Sequence, residues 1–170
     1  PNGNCINVHN APNVTIVDSI IGPCGAYGVS VSGSNNVTVQ NVTFLPQMGR
    51  GVTVSGGSGI NLVNNSFTGT EEWRDPSKSW KGTGWGHGLA FEQVEGGTFS
   101  GNHFVGSYQN DTASGYSSDF MNIVDNVFDV TIIDDSGAPF TTGDAAGGDD
   151  PGGNNYVAGN YVKKSGGVNA

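Results

Sequence analysis

The chain has 170 residues, 29 of them glycine, with 35% apolar and only 12% charged residues, enough for one domain with a sizeable core. Its net charge of −9, from 15 acidic and 6 basic residues, speaks against nucleic acid or an anionic membrane as a partner of the whole surface. No apolar run approaches the ~18 residues of a membrane span, and low charge with strictly spaced apolar residues argues against disorder.

No signal peptide is visible, and the chain starts inside its first repeat, as a mature or trimmed product would. Cys5 and Cys24 are the two cysteines, and neither belongs to a metal-type pair. The 18-residue segment between them could fold back to close a disulfide, or the two could remain buried thiols. Five Asn-x-Ser/Thr sequons (Asn13, Asn36, Asn41, Asn64 and Asn110) would be glycan acceptors in a secreted eukaryotic protein. A repeat built on Asn-Val-Thr makes such sequons as a by-product, and that reading is preferred.

Residues 28–44 and 51–67 say nearly the same thing. Val31 recurs as Val54, Val37 as Ile60, Val39 as Leu62 and Phe44 as Phe67, each a step of 23, and Val8, Val14, Ile16 and Ile21 lie one step upstream. A fixed period of this length means a stacked array. Within it, Val29 and Val31 alternate with Ser30 and Ser32, as do Val37 and Val39 with Thr38. Short alternating β-branched runs between Gly, Asn and Ser corners predict strands of three to five residues, with no 3.6-residue period anywhere. These fit the rungs of a parallel β-solenoid, stacked at ~4.8 Å.

The register carries onward. Val54, Ile60, Leu62 and Phe67 become Phe91, Gly97, Phe99 and Phe104 after 37 residues. Phe99 and Phe104 become Ile123 and Phe128 after 24, then Val157 and Val162 after a further 34. Six rungs are expected, in a single all-β domain over residues 1–170, with insertions at 69–86 and 129–153. One column reads Asn65, Asn102, Asn126, Asn160. Asparagines at the same corner of successive rungs can pass amide hydrogen bonds up the stack and tolerate the left-handed conformation corners need.

The rung motif, for example Asn36-Val-Thr-Val-x-Asn-Val-Thr-Phe44, resembles the right-handed parallel β-helix superfamily, the pectate-lyase-like or pectin-lyase-fold group, over essentially the whole chain. That resemblance implies the fold. Its members include polysaccharide lyases, glycoside hydrolases, uronate epimerases, tail spikes and adhesins, so fold alone does not choose an activity. Members usually cap their terminal rungs. Here neither flank reads as a helix, so the expectation is a piece of a longer chain or ends that meet partners.

The insertion 69–86 holds all three tryptophans, Trp73, Trp80 and Trp85, with Arg74, Lys78 and Lys81. Flat aromatic faces stack on sugar rings and cations pair with uronate or sulfate, whereas a loop of this kind can equally pack its tryptophans as a satellite core. Trp73, Arg74, Trp80, Lys81 and Trp85, with Tyr108, form the expected substrate-contacting set. Next comes Gly86-His87-Gly88. By register His87 follows Arg50 and precedes Asp111, and Tyr27 starts that column. Glu92 faces outward between Ser55 and Tyr116. Arg50, His87, Glu92, Asp111 and Tyr116 are the candidate catalytic residues, a His polarised by a carboxylate with an Arg to hold an anion. The bland alternative is a solvated polar ladder.

Gly86-His-Gly88 also resembles the Gly-His-Gly motif of the polygalacturonase family. Where that family carries paired aspartates this chain has Asn64-Asn65, and the later Arg-x-Lys element has no counterpart, so the hydrolytic mechanism is not carried over. In the second insertion, Asp134, Asp135, Asp149 and Asp150 could ligate Ca²⁺ or simply form a solvated acidic loop, and no cofactor is required. The expected function is an extracellular or cell-surface protein that binds or acts on an anionic polysaccharide, by lyase, epimerase or hydrolase chemistry if it is an enzyme. The competing expectation is a non-catalytic fibre, spike or adhesin module, stacking end to end or on flanking domains.

Overall fold

The structure is a computed structural model that describes residues 3–47, 49–69, 88–108, 112–132, 139–143 and 153–165, with Tyr116 and 141–143 described by their backbone alone. Among the described residues, sixteen strands wind through six rungs. The first holds β1 (Ile6–His9), β2 (Thr15–Val17) and β3 (Ile20–Ile21), and the second β4 (Val29–Ser32), β5 (Thr38–Gln40) and β6 (Thr43–Phe44). The third holds β7 (Val52–Val63) and β8 (Ser66–Gly69), and the fourth β9 (Leu89–Ser100) and β10 (His103–Tyr108). The fifth holds β11 (Ala113–Tyr116), β12 (Asp119–Val124) and β13 (Val127–Ile132), and the sixth β14 (Phe140–Gly143), β15 (Tyr156–Ala158) and β16 (Tyr161–Ser165).

Each strand pairs in parallel with its counterpart one rung on, which is the β-helix that the 23-residue period predicts. Two sheets result, one of ten strands and one of six in the order β16-β13-β10-β8-β6-β3. The expected register holds along the described strands. Val8, Val31, Val54 and Phe91 are successive partners, as are Phe99, Ile123 and Val157.

The core is built of such columns. Phe44, Phe67, Phe104 and Phe128 stack nearly parallel, with ring centroids 4.7, 4.5 and 4.9 Å apart, and all four are buried. Room for the rings comes from a facing column of glycine. A Cβ on Gly51 would come within 2.7 Å of the Phe67 ring and of the Gly88 carbonyl. The asparagine column also forms. Asn65 Nδ2 donates to Asn102 Oδ1 at 3.0 Å, Asn102 to Asn126 at 2.9 Å and Asn126 to Asn160 at 2.9 Å. The same amides donate to Val39, Leu62 and Phe99 carbonyls inside the coil.

One expectation is corrected. The ladder asparagines do not take the left-handed conformation; the residue before each one does, namely Asn64, Gly101, Asp125 and Gly159, with φ of 54° to 66°. The division has a physical reason. The residue in the turn aims its side chain outward, and the next aims inward, where an amide can both donate and accept.

Cys5 and Cys24 form a disulfide with Cα atoms 5.7 Å apart, which decides between the two readings of the pair. It ties the start of the first rung to the start of the second. At the other end, Val157 and Val162 occupy core columns yet are both 53% exposed, because no described rung covers them.

Candidate functional site

Strands β4, β7, β9 and β11 align one outer face. Period-two alternation turns Val52 and Val54 inward and Thr53 and Ser55 outward, and the pattern recurs in β9. The outward column reads His9, Ser32, Ser55, Glu92, and its backbone register continues at Tyr116. Glu92 is therefore exposed between Ser55 and Tyr116, as its sequence position predicts. The parallel column Ser30, Thr53, Ala90, Ser114 also faces outward, but Ala90 is 6% and Ser114 0% exposed.

Arg50 lies at the corner that feeds β7. Its guanidinium carbon stands 5.9 Å from the centroid of the Tyr27 ring, one rung back in the predicted column. Nη1 donates to Thr53 Oγ1 at 3.3 Å. Its Nε is buried without a hydrogen-bond partner, and no carboxylate among the described residues pairs with the side chain. The other buried polar side-chain atom lacking a partner among the described residues is Thr112 Oγ1. Thr112 belongs to the same corner. Val52 N donates to Gly88 O, and Gly88 N to Thr112 O, so Gly51, Gly88 and Thr112 follow one another up the stack. Thr112 thus lies two rungs from Arg50, in the column whose glycines face the phenylalanine stack.

A small cavity of about 30 Å³ lies nearby, lined by Gly49, Gly51, Phe67, Gly88 and Tyr108 among others, but not by Arg50 or Thr112. The sequence suggests a substrate contact for Tyr108 on the outside of the coil. Instead its ring is 3% exposed and its hydroxyl donates to the Phe67 carbonyl at 2.9 Å. Burial pushes the pKa of that hydroxyl upward, so it is neither an exposed platform nor a ready proton donor. The physical reason for the difference is that residues 105–118 lack the apolar markers that elsewhere separate inside from outside.

Arg50 and Glu92 share a face without touching. Glu92 pairs with Ser55, five positions along from Arg50, roughly 16 Å at the rise of a strand. Of the remaining candidates, His87, Asp111, Trp73, Arg74, Trp80, Lys81 and Trp85 lie outside the described residues, as do Asp134, Asp135, Asp149 and Asp150. Among the described residues no group of three or more His, Cys, Asp or Glu side chains could hold a metal ion.

A family model described as a right-handed beta helix region matches residues 4–169. No curated protein and no solved structure matches the chain.

Proposed function

Since the chain belongs to the right-handed β-helix family, we propose that it is an extracellular protein that binds an anionic polysaccharide along this outer strand face, anchored at the Tyr27–Arg50 corner. The observation that carries this reading is the uncompensated guanidinium. In a chain of net charge −9, Arg50 has a buried Nε with no hydrogen-bond partner among the described residues and pairs with no described carboxylate. A planar fork held under an aromatic ring suits the two oxygens of a uronate carboxylate. The disulfide supports an oxidising compartment.

Turnover would use groups from the same face. Arg50 would neutralise the substrate carboxylate, and His87 or Glu92 would accept the proton lost from the sugar carbon, with Asp111 to polarise the histidine. Lyase and epimerase chemistry both begin with that step.

The test is calorimetric titration of the full chain with hexagalacturonate, together with absorbance near 235 nm to detect unsaturated product. Arg50→Ala should weaken binding at least about tenfold, and Arg50→Lys should recover only part, because a lysine is a point charge and not a fork. Equal affinity of wild type and Arg50→Ala would refute the reading.

A further inference from the structure

Phe120 breaks the rule of its own column. Once per rung the backbone turns through a left-handed residue at a corner occupied successively by Asn13, Asn36, Gly59, Gly96, Phe120 and Asn154. Their φ angles are 60°, 55°, 64°, 69°, 55° and 56°. Glycine and asparagine take this conformation at least cost, whereas a phenylalanine sets its Cβ against the following carbonyl. Burial does not offset the strain, because Phe120 is 58% exposed. A bulky residue held in a strained conformation with its ring in solvent points to a use for the ring.

Its surroundings define that use. One rung back lies Gly96, where a Cβ would meet nothing within 4 Å, so the space beside the ring is open. The residues just before the corner form a short column, Ser58, Glu95, Asp119, in direct register. Glu95 is exposed and makes no hydrogen bond or ion pair with any described residue. Asp119 Oδ1 accepts from the Gly153 amide, which leaves its other oxygen to accept. By register Phe120, Gly96, Glu95 and Asp119 are neighbours at this corner, and no basic residue stands in these columns.

We propose that this corner is a glycan subsite for an uncharged pyranose ring. The apolar C–H face of the sugar stacks on Phe120, and its hydroxyls donate to Glu95 and Asp119, which as carboxylates can only accept. A uronate or sulfated ring is repelled by the same two groups. The site shares with the Arg50 corner only a polysaccharide as ligand. Arg50 precedes the first residue of β7, whereas the Phe120 column crosses β7 at Gly59, so either site can fail while the other stands.

The experiment is titration of wild type, Phe120→Ala, Phe120→Asn and Arg50→Ala with neutral cello-, xylo- and mannohexaose, with chitosan hexamer, and with hexagalacturonate. At least one neutral hexasaccharide should bind wild type and Arg50→Ala alike, with little salt dependence, and lose about tenfold or more in both Phe120 variants. Phe120→Asn restores the residue type used elsewhere in the column and should raise Tm by roughly 2–6 °C. The proposal is overturned if no neutral hexasaccharide binds, if Phe120→Asn binds as wild type, or if only the amine-bearing chitosan hexamer depends on Phe120. A fall in Tm for Phe120→Asn would assign the ring a structural role instead, and would also overturn it.

Discussion

Asn102 is 0% exposed, and its amide accepts from the Asn65 side chain and backbone while donating to Asn126 and to the Leu62 carbonyl. Truncation orphans several groups at once inside a dry corner. Asn102→Ala should therefore cost about 3 kcal/mol, read as a lower urea midpoint, since each buried unsatisfied group costs roughly 1–3 kcal/mol. Asn102→Asp should be no milder, because it replaces the donor that faces Leu62 O with an acceptor. A midpoint unchanged in Asn102→Ala would show that the ladder adds nothing to stability. This column is legible in the sequence, because an asparagine that recurs at rung spacing beside inward-facing phenylalanines must satisfy its amide within the stack. Phe120 is not legible. In a stretch that reads Asp119-Phe120-Met121 an aromatic passes for a core residue, and only the backbone reveals that it sits in a left-handed corner beside the inward Met121.

Strands behave here as parts of rungs, and the rungs differ in support. β7 and β9 each run twelve residues and are flanked on both sides, whereas β1, β2 and β3 have four, three and two residues and a described neighbour on one side only. The Cys5–Cys24 bond compensates by closing a loop of sequence separation 19 around that rung. Removing it should cost about 3 kcal/mol by loop-closure entropy. The loss should be local. In the Cys5→Ser/Cys24→Ser variant, amide protection should fall across β1 and β2 while β9 and β10 keep theirs. Uniform loss of protection would mean that the bond supports the whole coil. The sequence places both cysteines in the first turn of the repeat but leaves their pairing open, since spacing alone does not say how the corner at Gly22-Pro23 brings the chain round.

For the molecule as a whole, the repeat is the frame and the departures from it carry the chemistry. Stacking at a constant register makes every outward column a line of side chains one strand spacing apart, so the face that holds Tyr27, Arg50, Ser55 and Glu92 follows from counting residues. Counting does not tell which outward positions are covered, and Ala90 and Ser114 are buried on that face. Nor does it tell that Arg50 has no acidic partner among the described residues, because pairing depends on side-chain reach and not on register. The central claim is that this guanidinium awaits an anionic sugar. The most direct measurement is an NMR titration with hexagalacturonate that follows the Arg50 Nε–H together with the backbone amides. Binding at this corner predicts a saturable shift of that Nε–H and slower exchange with water, accompanied by shifts at Gly51 and Thr53. An Nε–H signal that stays in place at saturating ligand, or an absence of binding, would contradict it.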